Sequence, residues 1–323
     1  MGLFTLVRPA ESAGVDPTNP YDAGQWFDGG DEWTATLTVT VNGAKVAEST
    51  TDRAWAPDID GHELTAAKDG IVGEYVHPYD GPTKAPVLII GPPTQPDSTL
   101  AEHLAQNGHP TVAVEYAGEP GLPSTPENIP IEYFAKALTF LRHQDGVQSQ
   151  HLVVLGEDVG SEAAQLLAVA HPDQVHGLVL TNPLARVTSA DDKGKSALWT
   201  EGGTPVPFAD PTGSRPSRPD HDPSVLHTEQ AKAFVVTVCG SADSVGDSCA
   251  AGREIATRLR DAHYAQPVHQ IQGQSIGASV VDLVPYQPHT IAWGGGNRQT
   301  ESVEMPKIWA QVLHALEDNG QVT

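Results

Sequence analysis

One short run limits what this chain can become. From Leu152 to Ala164 the sequence reads LVVLGEDVGSEAA. Leu152 to Leu155 are consecutive apolar residues, the mark of a strand buried on both faces. Gly156-Glu157-Asp158-Val159-Gly160 then forms a turn with glycine at each end. Ser161 to Ala170 is small and apolar enough to be a helix. Strand, G-x-D-x-G turn and helix in direct succession demand a sharp reversal. The glycines let the backbone close, and the central side chain stands exposed above the sheet at a helix N-terminus. That central residue is Asp158.

The rest of the chain is organised around such a sheet. Residues 1–30 are rich in Pro, Gly and Asp without sustained period and are expected as an arm. Thr34 to Val41 alternates strictly, Asn42-Gly43 follows, and Ala44 to Thr50 continues, a hairpin signal because Asn-Gly supplies the positive φ angles of a tight turn. Arm and hairpin make an N-terminal appendage over residues 1–65. The main domain is expected over 66–323. Its strands are read at Ile71–Val76, Val87–Ile90, Thr111–Tyr116, Gly177–Thr181, Phe234–Cys239 and Val268–Ile271. Its helices are read at Ser98–Asn107, Pro126–Arg142, Ala250–Ala262 and Met305–Leu316. Alternating β and α gives a mostly parallel, doubly wound sheet. Residues 184–228 hold Pro, Gly, Asp and Ser with little period, and a stretch that long inside a domain is expected as a lid.

Charge narrows the partners. Asp+Glu number 41 against 18 Lys+Arg, a formal net charge of −23. Such a field repels nucleic acid and anionic membrane surfaces. No apolar run reaches transmembrane length, and the N-terminus lacks a signal-peptide pattern. Cys239 and Cys249 are the two cysteines. They read as core and helix residues, which argues against a disulfide and for a reducing cytoplasm. No Walker loop, dinucleotide fingerprint or zinc spacing is present, so neither cofactor nor metal is expected.

The run from Gly108 to Leu141, and within it GEPGLPSTPENIPIEYF, resembles the catalytic domain of the acyl-CoA thioester hydrolase and bile acid-CoA:amino acid N-acyltransferase family. The likeness extends over roughly residues 70–318. MGLF and the hairpin resemble the segment that links that family's N-terminal β-sandwich to its catalytic domain. The resemblance implies an α/β-hydrolase fold and a Ser or Cys nucleophile, an Asp and a His acting on an acyl thioester. Asp158 stands at the implied nucleophile position. Asp243, in Gly240-Ser241-Ala242-Asp243, matches the acid. Ile276 falls where the His belongs. Gly91-Pro92-Pro93-Thr94 replaces the glycine-rich oxyanion turn with two prolines, which have no N–H to give. The implied triad is therefore degenerate, and acyl transfer by the family's mechanism loses its base and its general acid.

The remaining groups leave several possibilities. Asp158 and Asp243 can share a site as paired carboxylates, one with a raised pKa, suited to proton abstraction. Asp158 can instead merely cap the following helix, and Asp243 can simply bond loop amides. Tyr116, Glu157, Val159, Thr94, Trp199, Ile276 and His289 are the candidate substrate-binding residues. Tyr116 ends a core strand and could donate to a carbonyl, or be an ordinary core tyrosine. Trp199 could wall a hydrophobic pocket or pack the lid. Glu162 lies in the first helical turn, where a carboxylate suits the dipole.

The leading expectation is a non-hydrolytic enzyme of small acyl or polyketide-like metabolites, eliminating an acyl group such as acetate, or cyclising. In fold it resembles hydrolase-fold proteins recruited into specialised-metabolite pathways, including acetate-eliminating enzymes of tetronate assembly. One alternative is a pseudoenzyme that binds a ligand in the old pocket. Another is an ester or thioester hydrolase with Asp158 as nucleophile, needing an imidazole for which His289 is the candidate.

Overall fold

The computed structural model describes residues 32–54, 59–93, 98–191, 193–209, 222–283 and 294–322. The expected arm, Thr94 and His289 lie outside these described residues.

The hairpin is present. β1 (Glu32–Val41) pairs antiparallel with β2 (Ala44–Ala54). Asn42 and Gly43 take φ values of 53° and 79°, the positive pair that a two-residue turn of this hand requires. Every described side chain from Thr38 to Thr50 is exposed, so this ribbon buries neither face among the described residues.

The chain continues through β3 (Ile59–Leu64), β4 (Val72–Pro78), β5 (Val87–Ile90), α1 (Ser98–Gln106), β6 (Thr111–Glu115), β7 (Ile129–Pro130) and α2 (Ile131–Arg142). Next come β8 (Val153–Glu157), α3 (Gly160–Ala170), β9 (Gly177–Thr181), β10 (Trp199–Glu201) and β11 (Thr204–Pro205). β12 (Phe234–Gly240), α4 (Ser248–Asp261), β13 (Val268–Gly273) and α5 (Arg298–Glu317) complete it. One eight-stranded sheet has the order β13-β12-β9-β8-β5-β6-β4-β3. β4 is antiparallel to both neighbours, and the other pairs are parallel. This is the α/β-hydrolase arrangement.

The apolar strand runs follow from burial on both faces. Successive side chains in a strand point to opposite sides. Leu88, Ile90 and Val154 pack with Phe134, Leu138 and Leu167 of α2 and α3. Val87, Ile89, Val153 and Leu155 pack with Leu100, Leu104, Ile308 and Val312 of α1 and α5. Each such side chain contributes roughly 1.5–3 kcal/mol on burial.

Three boundaries differ from expectation for identifiable reasons. α2 starts at Ile131, not Pro126, because Asn128 turns to φ 54°. Ile129–Pro130 then run extended beside Trp199–Thr200. α5 starts at Arg298, capped by the Asn297 side chain, and carries Pro306 in its interior. The expected start, Met305, falls inside this helix one residue before that proline. β3 joins the sheet although IDGHEL shows no apolar alternation. It is an edge strand, exposed over most of its length and held by backbone pairing to β4.

The cysteine expectation is corrected. Cys239 at the end of β12 and Cys249 in the first turn of α4 form a disulfide, their Cα atoms 5.2 Å apart. Chain reversal between β12 and α4 brings the two together. The inference of a reducing compartment from unpaired thiols falls with it. Among the described residues, no helix is long and apolar enough to cross a membrane.

Candidate functional site

The elbow forms where the sequence demands it, at the end of β8. Asp158 itself supplies the positive φ, 49°. The glycines serve a different purpose, close approach. A Cβ on Gly160 would lie 1.9 Å from the carbonyl oxygen of Ile90, and one on Gly156 would lie 2.7 Å from the Cα of Ser161. The Asp158 amide donates to Thr181 O at 3.0 Å, and the Ser161 amide donates to Asp158 O at 2.9 Å. Holding a non-glycine residue in this region costs roughly 1–3 kcal/mol, least for Asp or Asn.

The Asp158 side chain is solvent-accessible, yet protein crowds its base. That crowding first, and then the Asp243 carboxylate, raises its pKa, while the Val159 amide works the other way. Accessibility and crowding point in opposite directions, and water on the open side screens the effect. Helix α3 has Val159 at its N-cap with no bond from that side chain, and the Asp158 carboxylate just before it is acted on by the Val159 amide.

Asp243 lies in the turn after β12, within electrostatic reach of Asp158. Its carboxylate is occupied. Oδ1 accepts from the amides of Val245 (2.9 Å) and Gly246 (3.2 Å), and Oδ2 accepts from Ser248 Oγ (2.8 Å). This is the loop-bonding arrangement rather than a carboxylate aimed at a shared proton.

Several expected contacts are reassigned. Tyr116 is buried, and its hydroxyl donates to Gly91 O at 3.1 Å rather than standing ready for a ligand. Burial, then Glu162 and Asp158, raises its pKa. Trp199 is fully buried against Tyr116 and Phe134, with ring centroids 5.4 and 5.8 Å away. It is core rather than an open pocket wall. Ile276 is also fully buried, and its carbonyl accepts from the Ala242 amide at 2.8 Å. It packs the α5 face of the sheet. Glu157 is buried and alternates with Val153 and Leu155 onto that same face. Val159 stays half-buried beside Asp158.

Glu162 has a role that its place in a first helical turn does not announce. It is fully buried, with Oε2 accepting from Trp199 Nε1 at 2.7 Å and Oε1 accepting from the Thr188 amide at 3.0 Å. Burial pushes its pKa up to about 7, opposed by those bonds and reinforced by Asp158. A lone carboxylate ahead of the small and apolar residues of Ala163-Ala164-Gln165-Leu166-Leu167 was the available signal.

Among the described residues, no three His, Cys, Asp or Glu side chains converge as metal ligands. A groove of about 590 Å3 runs along α2 past Glu132, Lys136, Phe140 and His143, and includes none of the elbow residues.

Esterase B of Lactobacillus rhamnosis, inhibited by a C4-C4 SN3 tributyrin phosphonate, superposes with a TM-score of 0.50 at 14% identity, covering 81% of this chain and 87% of that one. Dipeptidyl peptidase 4 of Porphyromonas gingivalis gives a TM-score of 0.50 at 14% identity, covering 77% of this chain and 33% of that one. These likenesses establish a shared fold. No curated protein matches the sequence. Residues 129–317, more than half the chain, match the family described as BAAT / acyl-CoA thioester hydrolase, C terminal, and the chain belongs to that family.

Proposed function

We propose that this chain is an enzyme acting on a small acyl ester or thioester, with the Asp158 carboxylate as general base. The base removes an acidic C–H beside a carbonyl. The electron pair of that C–H bond becomes a C=C bond, and the bond between the β-carbon and the oxygen of its acyloxy group breaks. The acyloxy group leaves as a carboxylate that recovers a proton from Asp158 or solvent. Where the substrate carries its own electrophile, the same proton removal gives ring closure.

The observation that carries this reading is Asp158 at the elbow tip, accessible and with a raised pKa. Buried Ile276 supports it, because it fills the loop after β13 with packing rather than an imidazole. A base near its working pH is the more effective. Lyase or cyclase chemistry on a polyketide-like metabolite is the concrete version.

Family membership favours a second reading, hydrolysis through a covalent Asp158 intermediate. In that case His289 is the residue to examine as activator of water.

A product-resolved mass-spectrometric assay separates the two. The probes are acyl-CoA thioesters and O-acetylated β-keto lactones. Free acid with an alkene-bearing partner supports elimination. Free acid with the intact alcohol or thiol overturns it. Heavy oxygen from water in the Asp158 carboxylate after one turnover then assigns the covalent route. Full activity in Asp158→Asn excludes both.

A further inference from the structure

One side of α3 carries a buried polar seam to residues 184–200 and Thr228. Ser161 Oγ accepts from the Leu184 amide at 3.0 Å. Gln165 donates to Leu184 O at 2.9 Å, and its Oε1 accepts from Thr228 Oγ1 at 2.6 Å. Between them Glu162 takes Trp199 Nε1 on one oxygen and the Thr188 amide on the other. Ser161, Glu162 and Gln165 are all buried. Away from α3 the same segment is fastened by charge. Arg186 donates to Asp222 at 2.9 Å and to Glu254 of α4 at 2.8 Å. Glu162 therefore stands apart as an ionisable group inside the seam, one helical turn beyond Asp158.

We infer that Glu162 is a positioning residue, whose carboxyl seats the 184–209 segment as a cap on the elbow helix and whose proton occupancy decides how firmly the cap is held. The consequence for catalysis rests on the reading of Asp158 as the reacting group. The seating itself does not.

The physics has a definite sign. A buried carboxylate is costly unless donors offset the lost water. Two N–H donors offset part of that cost. Asp158 on the elbow adds repulsion, and Tyr116 at the end of β6 faces the pair with a neutral hydroxyl. The cap itself contributes the uncharged indole of Trp199 and the Thr188 amide. With the cap seated, the Glu162 carboxyl keeps its proton up to about pH 7, against an ordinary value of 4.5. If the cap lifts, Glu162 meets water and returns toward that ordinary value. The seated state thus holds the extra proton. Raising the pH from the ordinary value through about 7 weakens the seating, and a further rise adds nothing.

Hydrogen–deuterium exchange of peptides across 184–209, on the full chain without substrate, tests this. Rates are corrected for the intrinsic pH dependence and compared from about pH 5 to about pH 9. In the wild type, protection should fall about ten-fold or more as pH rises through the Glu162 transition. Glu162→Gln cannot ionise, so its protection should show no step. It should also start lower, because its amide N–H faces a donor. Asp158→Asn removes the repulsion and should move the step to lower pH. A flat wild-type profile overturns the inference, as does the same step surviving in Glu162→Gln. Should Glu162→Gln fail to fold, the Asp158→Asn shift decides, and an unmoved step overturns the inference. An enzyme inactive toward every acyl probe would leave these exchange results untouched, so the two proposals fail separately.

Discussion

Asp158 and Asp243 follow two parallel strands, β8 and β12, with β9 between them in the sheet. They share a residue type, a parallel-strand terminus and a following helix. Their backbones treat them differently. At Asp158 the chain turns through φ 49° and pushes the side chain outward, where the Val159 amide acts on it. At Asp243 the turn closes over the carboxylate with amides from Val245 and Gly246 and the hydroxyl of Ser248. The Asp243 carboxylate accepts three bonds from its own loop, whereas the exposed Asp158 side chain is the one the proposed reaction would use as its base. Position after a strand says only where chemistry can occur. The local donors decide which side chain is available for it.

Substituting each aspartate in turn tests the contrast most directly. Asp158→Asn should lose about 10³-fold in turnover of an acyl probe, with an unchanged circular dichroism spectrum and no loss of thermal stability. The activity of the wild type should rise with pH through an acid limb set above the ordinary carboxylate value, since the Asp158 base must be ionised and its pKa is raised. Gly160→Ala attacks the elbow from beneath, because the new methyl meets Ile90 O. It should cost about 3 kcal/mol or more in denaturant unfolding. Removing the Cys239–Cys249 cross-link with Cys249→Ser opens a loop of separation 10 around the Asp243 turn. Chain entropy puts that loss at about 3 kcal/mol or somewhat less in the same assay. Asp243→Asn should be mildest, about 1–2 kcal/mol of stability and only a few-fold in turnover. If it silences the protein as fully as Asp158→Asn, the contrast is broken and the two carboxylates work as a pair.

What could be read in advance follows from how local each cause is. The elbow is a strand, turn and helix within a dozen residues, and the hairpin turns on Asn42-Gly43. Both are written in adjacent side chains. β3 has no such signature, because partner β4 makes it a strand. The start of α2 depends on Trp199–Thr200, far along the chain. The Cys239–Cys249 bond depends on how tightly β12 folds back into α4. Glu162 was visible as a carboxylate on a helix, and its work was not, since its donors Thr188 and Trp199 come from a segment without period. Asp243 likewise matched a family position by sequence, while its three donors emerge only with the turn.

The disulfide carries a practical consequence for anyone handling the protein. A chain produced in a reducing host and purified with thiol present would be two hydrogens heavier and would lack the clasp between β12 and α4. An oxidised preparation would keep it. Two laboratories measuring the same sequence could then record different melting curves and different rates while believing they held one sample. Intact mass, checked before any kinetic run, tells the two populations apart.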